Sequence, residues 1–331
     1  MNNFTYVRAS SLSDAVNQAV ADANSQFIAG GTNLIDRMKV FLDQPSQLID
    51  ISRLQMQGIE TMTDGSLRLG ALVSNTAVAD NSHVRRNYPM LTRAILSGAS
   101  QQIRNIATVG GNLLQRTRCP YYYDTAFPCN KRQPGTGCPA IHGINRNHAI
   151  LGASEDCVAV HPSDMCVALA ALDAVVEVTS PQGQRQIPFT QFHRLPENTP
   201  QQDTNLQPGE LITAVILPPL SWAKSGVYLK IRDRASYSFA LISVAAAVNL
   251  QRDKIQAVRL ALGGVAHKPW RATAAEEFLL GKSADITTFT AAAEIALESA
   301  QTLTHNGYKV ELAKRAMRRA LMVSVQGGGV A

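Results

Sequence analysis

"FIAGGTNL", residues 27–34, reads as a short apolar strand, a paired-glycine turn and the start of a helix. That succession gathers backbone N–H groups at the positive end of a helix dipole, where an extended anion such as a pyrophosphate binds. Glycine suits the turn because a Cβ would block close backbone approach and positive φ. Thr32 and Asn33 add side-chain hydrogen-bonding groups. The stretch has neither the G-x-G-x-x-G of a Rossmann turn nor the Gly-Lys-Ser/Thr of a Walker loop, so by itself it also suits a plain structural turn. "TVGGNLL" (108–114) presents a second apolar residue, Gly, Gly run with a hydroxyl and an Asn close by. Two such loops from separate segments would clamp one extended phosphate-containing cofactor from both sides.

Working outward, helix and strand alternate. Ser11 or Ser13 is placed to cap a helix whose apolar face is Ala15, Val16, Ala19 and Val20. "QLIDIS" (47–52) and "LRLGALV" (67–73) read as strands, and Leu91, Ala94 and Ile95 give helical spacing between 84 and 99. A strand-like approach leads into the second glycine pair. Residues 115–158 then lose both periods, being rich in Pro, Gly, Asn, Cys and Tyr. A loop of that length inside a domain needs something non-peptidic to organise it. Regularity returns with a helix after "HPSDM" (161–165), a hairpin around Gln182-Gly183 and the strand "ELITAVILPP" (210–219). Pro218-Pro219 makes a domain joint. Strands are expected at 225–232, 240–250 and 255–264, then helices at 272–280, 287–304 and 308–324, with a Gly327–Gly329 tail that frays.

The bulk numbers bound the function classes. The chain has 331 residues, 45% hydrophobic and 17% charged, enough for two or three compact units. Its net charge of +6 is not concentrated in a nucleic-acid-binding motif, so no nucleic acid partner is expected. No basic n-region with an apolar run opens the chain, and no stretch approaches a membrane span. Neither an export signal of its own nor a transmembrane segment is expected.

Five cysteines are present, three of them in "CPYYYDTAFPCNKRQPGTGC" (119–138). The spacing Cys119, Cys129, Cys138, Cys157 lacks the close C-x2–4-C pairs usual for zinc and the common ferredoxin spacings. Arg116, Arg118, Lys131, Arg132 and Arg146 surround these thiols against a single acid, Asp124, and cationic surroundings suit an anionic thiolate cluster. Surface thiols beside a basic docking patch remain the alternative on the residues alone. Cys166 lies on an apolar helix face and reads as a small buried hydrophobe. His142, His148 and His161 flank the region as further possible ligands. Asp164 reads either as an N-capping residue or as a partner of a cofactor hydroxyl. Lys230 reads either as a solvent-facing strand residue or as one facing an anionic cofactor. No hydrolase elbow, zincin helix or paired-carboxylate signature appears.

The motifs "FIAGGTNL", "LGALVSNTAVAD", "TVGGNLLQ", "HPSDM", "LITAVILP" and "YLKIRDR" occur in the order found in the FAD-binding medium subunit of the molybdenum hydroxylases. The chain resembles that family, which includes the xanthine dehydrogenase and carbon monoxide dehydrogenase flavoproteins, over essentially its whole length. "QRTRCPYYYD", "PCNKRQPGTGC" and "HAILGASEDCVAVHPSDM" resemble the branch with an extra 4Fe-4S cluster in the flavin subunit, that of bacterial heterotrimeric aldehyde oxidoreductase and, more loosely, 4-hydroxybenzoyl-CoA reductase.

The resemblance implies an α+β fold: a two-part FAD-binding region of the VAO/PCMH type, at 1–55 and 56–219, then a C-terminal domain at 223–331 with a three-stranded sheet and helices. The cluster loop spans about 115–158. It implies that Phe27, Ile28, Ala29, Gly30, Gly31, Thr32, Asn33 and Leu34 wrap the FAD pyrophosphate, with Thr108, Gly111 and Asn112 closing from the other side. Asp164, Ile216 and Lys230 match further FAD contacts, and Cys119, Cys129, Cys138 and Cys157 match the cluster ligands. By the same resemblance, a large partner subunit with molybdenum cofactor oxidises an aldehyde. A small partner with two 2Fe-2S clusters then passes electrons to FAD here, for an external electron acceptor. No catalytic acid or base for substrate oxidation is expected in this chain, and co-export with a partner leaves cytoplasm and periplasm both open. Two other readings stay open: a self-sufficient flavin reductase on the same cofactor-binding fold, and a metal-stabilised interaction protein.

Overall fold

Ser11 caps the first helix, Leu12–Ala21, its hydroxyl accepting the Asp14 N–H at 3.0 Å. In this computed structural model, which describes residues 1–327, Ala15 and Val16 bury one face of that helix. Gly328 and Gly329, part of the tail expected to fray, lie outside the described residues. The helix links β1 (Thr5–Arg8) and β2 (Ser25–Ile28), and β3 (Gln47–Asp50) lies between these strands, parallel to both. Asp50, at the end of β3, accepts from Arg8 Nε at 3.0 Å, the Ser52 N–H at 2.8 Å and the Tyr6 hydroxyl. Burial opposes its charge, but those hydrogen bonds prevail and hold its carboxyl well below the usual range. A carboxyl lowered in the folded state contributes stability above the unfolded pKa of about 3.9, and that contribution is lost as pH falls through the folded value. Asp50→Asn is therefore expected to flatten the acid limb of stability. Urea unfolding at pH 6 and pH 3 should show a smaller difference in the variant, and equal differences would refute the assignment.

The second sheet is antiparallel, in the order β4 (Ile59–Thr61), β5 (Leu67–Gly70), β8 (Leu211–Leu217), β6 (Val175–Ser180), β7 (Gly183–Pro188). The long insertion between β5 and β6 holds the helices Pro89–Ser97, Val109–Leu113 and Asp164–Ala171 as well as the cysteine segment. One apolar core runs through both sheets, from Val16 and Ile49 to Leu69, Leu91 and Val215. The third sheet, in the order β12 (Trp270–Arg271), β11 (Lys254–Gly263), β10 (Ile242–Gln251), β9 (Val227–Ile231), has three long antiparallel strands and a two-residue edge strand. The helices Thr273–Leu279, Ile286–Ala296 and Tyr308–Val325 build a second core with it.

The cysteine segment forms only a short helix, Pro120–Tyr123, and a 3-10 turn, Pro139–Ile141. Its far end is anchored by the third unit. Ile150 and Leu151 donate their N–H groups to Val265 O at 2.9 and 3.0 Å, and the buried Lys309 ammonium donates to His148 O at 2.8 Å. No helix among the described residues is long and apolar enough to cross a membrane.

Candidate functional site

A groove of about 1090 Å³ opens among the three units, at the upper end of the range for small-molecule and cofactor sites. Phe27 to Leu34 all line it, as do Thr108, Gly111, Asn112, Asp164 and Lys230. Ile216 does not. It lies in β8, paired with Arg68 on one side and Val175 on the other, within the five-stranded sheet. Ile95, Ile103, Leu206 and Pro208 supply apolar surface in the groove.

The two glycine loops, alike in sequence, do different work. Among the described residues, the N–H groups of Gly30 to Leu34 donate to no protein acceptor. Gly31 has φ +68°, the left-handed region that glycine enters without strain. In the second loop the N–H groups are consumed. Val109 donates to Val73 O at 2.9 Å, Gly110 to Ala71 O at 2.8 Å and Gly111 to the Thr108 hydroxyl at 3.2 Å. Thr108 is the N-cap of a helix where a strand-like approach was expected, since Gln101–Ile106 already coils immediately before it. The N–H groups of the second pair are thus engaged within the protein, while Thr108, Gly111 and Asn112 still line the groove. The second loop also braces the first, because the Ile106–Ala107 backbone fills the space beside Gly30.

Asn33 ties this loop to the cysteine segment, its Oδ1 accepting the Arg116 N–H at 3.1 Å and a hydrogen bond from Arg37. Three groove-lining residues, Asn33, Asn75 and Arg118, hold a buried polar atom with no partner: Nδ2, Oδ1 and Nε respectively. Buried polar atoms are rarely left so. Arg104, also lining the groove, has only carbonyl partners, the shortest being Gly98 O at 2.7 Å. An unused run of backbone donors, buried polar atoms without partners and a guanidinium with no carboxylate partner together fit an elongated anionic ligand.

On the groove's inner wall, the Lys230 ammonium donates to Asp164 Oδ2 at 2.8 Å and Ser97 O at 3.0 Å, and the Tyr228 hydroxyl donates to Asp164 Oδ1 at 2.6 Å. Both members of the ion pair are buried, so Lys230 faces inward rather than to solvent. Burial raises the Asp164 carboxyl, with Lys230 and Tyr228 pulling it back. Capping falls to Ser163, whose hydroxyl accepts the Cys166 N–H at 3.1 Å, so Asp164 is left free for the pair. Tyr228 escaped the sequence reading, although strand alternation places it on the face of Lys230.

Cys119, Cys129, Cys138 and Cys157 converge on one small internal space, and all are free thiols. Burial pushes Cys119 up to about 12 and Cys157 up to about 11, and raises Cys138. Burial therefore favours the neutral form of Cys119, Cys138 and Cys157, an effect that a bound metal ion would oppose. Among the described residues, His161, Cys166 and His193 bring three further metal-ligating atoms within 4.8 Å of one another. His148 Nε2 sits 3.1 Å from Cys119 Sγ, while His142 is exposed.

The fold and groove define a protein that binds an elongated anionic ligand beside a four-thiol site. Residues 2–220 match the FAD binding domain in molybdopterin dehydrogenase, and 227–323 the CO dehydrogenase flavoprotein C-terminal domain. The chain belongs to the FAD-binding medium subunits of the molybdenum hydroxylases, and it is an oxidoreductase subunit. It is 50% identical over 323 residues to the aldehyde oxidoreductase FAD-binding subunit PaoB of Escherichia coli, covering 97% of this chain and 98% of that one. It is 31% identical to the glyceraldehyde dehydrogenase medium chain of Sulfolobus acidocaldarius, covering 84% and 82%. Among solved structures, quinoline 2-oxidoreductase from Pseudomonas putida 86 matches with TM-score 0.76 and 25% identity, over 99% of this chain and 98% of that chain.

Proposed function

We propose that this chain is the electron-transfer subunit of a molybdenum-dependent aldehyde oxidoreductase, holding FAD in the groove and a 4Fe-4S cluster on Cys119, Cys129, Cys138 and Cys157. Its partners are a large molybdenum-cofactor subunit and a small subunit with two 2Fe-2S clusters, from which electrons arrive; an external acceptor takes them away. The work is done in the cytoplasm or, after co-export with a partner, in the periplasm.

The observation that carries this reading is the coexistence, in one chain, of an unused N–H run in a cofactor-sized groove and a four-thiol site joined to it through Asn33 and Arg116. The aldehyde class rests on the names of the PaoB and glyceraldehyde dehydrogenase relatives. The flavin, when bound, supplies exchange between one-electron and two-electron transfer. The chain's own residues bind and orient it: Gly30 to Leu34 offer donors to the diphosphate, and the Asp164–Lys230 pair shapes the inner wall.

Ultraviolet–visible and electron paramagnetic resonance spectra of anaerobically purified protein, with metal analysis, test the reading. A flavin spectrum together with iron near four atoms per chain beyond those of any partner is expected. Cys129→Ser should lose most of that iron after anaerobic reconstitution. Unchanged iron content and flavin reduction rate in the variant would rule out the cluster.

A further inference from the structure

One buried cation borders the four thiols. The Lys131 side chain is 1% exposed and lines the same internal space as the cysteines. Its ammonium donates to Pro200 O at 2.7 Å, to Asp203 Oδ1 and to His267 Nε2 at 2.7 Å. Three acceptors use all three of its protons, so none is left for sulfur, and Lys131 acts on the thiols through its charge alone. The histidine's state follows from its other bond. His267 Nδ1 donates to Arg194 O at 3.0 Å, which leaves Nε2 as the acceptor, and burial followed by the Lys131 charge lowers the imidazole to about 4. His267 is therefore neutral at pH 7, and its 3.6 Å approach to Asp203 is not an ion pair.

Asp203 receives Arg116 Nε at 2.7 Å on its second oxygen. Arg116 in turn places its backbone N–H on Asn33 of the glycine loop. Lys131 and Arg116 against Asp203 leave one positive charge in excess in this group, in which Lys131 is buried and the other two are partly exposed. Asp203 reaches Lys131 from outside the thiol space; the acid that lines that space is Asp156, whose Oδ1 accepts Asn130 Nδ2 at 3.0 Å.

We propose that Lys131 sets the reduction potential of the centre held by the four cysteines, with Asp203 as the positioning residue that holds the ammonium beside it. This inference rests on the cluster reading above. Reduction adds one electron and no proton, so the reduced centre is one charge more negative and a fixed cation favours it. Removing the cation should make reduction harder, and removing the anion that partly cancels it should make reduction easier. The two variants are therefore expected to have opposite signs, which loss of packing alone does not produce.

The test is a potentiometric titration with dithionite, followed by electron paramagnetic resonance, on the protein purified anaerobically with the partners it carries. Iron content and thermal midpoint are measured on every sample. Poised at the wild-type midpoint, Lys131→Met should show a reduced-to-oxidised ratio lower by about tenfold, Asp203→Asn a ratio higher by about threefold, and Lys131→Arg a ratio near wild type. Should Lys131→Met fail to assemble, the rise in Asp203→Asn and the retention in Lys131→Arg still decide the matter. Iron-loaded variants whose ratios stay put, or move together, overturn the role of Lys131 and leave the cluster intact. Wild-type protein lacking iron in this chain overturns the cluster reading itself.

Discussion

Gly30→Ala is expected to abolish stable flavin retention and to destabilise the fold by about 3 kcal/mol or more. A Cβ at this position would sit 2.2 Å from the Ile106 carbonyl oxygen, 2.8 Å from its carbon and 3.3 Å from Ala107 Cα. All three are backbone atoms, so no side-chain rotation relieves the overlap. Either the glycine loop or the Gln101–Ile106 helix must move, and both border the groove. Gly31→Ala provides the contrast. Its ideal Cβ meets only flexible side-chain atoms, the nearest Ile35 Cγ1 at 3.1 Å, and its cost is mainly that of a left-handed backbone, about 1–2 kcal/mol. Flavin content after purification and urea midpoints should rank wild type above Gly31→Ala and that above Gly30→Ala. A Gly30→Ala protein with wild-type flavin content and midpoint would show that the two loops do not abut.

Lys230→Met is the second large effect. The ammonium and the Asp164 carboxylate form a buried pair across two units of the fold, one on β9 and the other on the helix Asp164–Ala171. Removing one member of such a pair costs about 3–5 kcal/mol, because the other charge is left without compensation. The pH dependence follows from the acid that remains. Burial already raises the Asp164 carboxyl, and without Lys230 pulling back it rises further. A raised carboxyl binds a proton in the folded state sooner than in the unfolded state, so the folded form loses stability as pH climbs through the raised value. The deficit of Lys230→Met should therefore be greatest at pH 8 and shrink toward pH 5. The double variant Asp164→Asn/Lys230→Met should be less destabilised at pH 8 than the single one. Urea unfolding at both pH values measures this, and a pH-independent deficit below 1 kcal/mol would contradict a charged pair.

Much of the groove was legible in the one-dimensional pattern because its parts are local. A strand, two glycines and a helix start specify their own geometry, and every residue from Phe27 to Leu34 lines the groove. The long strands β9 to β11 were equally readable from their hydrophobic runs. A glycine pair does not by itself say whether its N–H groups face a groove or neighbouring backbone, and in the second loop Val73 and Ala71 take those of Val109 and Gly110. Ile216 lies in a strand as its apolar run suggests, while its relation to the groove depends on how the sheet packs.

Chain order alone determined the alternation of elements, the thiol-rich interruption and the family likeness, all of which depend on near neighbours and on conformational preference. Only the tertiary structure decided which charges meet. Asp203 lies in a polar loop 72 residues from Lys131, with no local signal to single it out. Tyr228, Asp164 and Ser97 come together from three separate segments. Buried electrostatics is set by what desolvates each group and what answers its charge, and both are properties of the packed molecule.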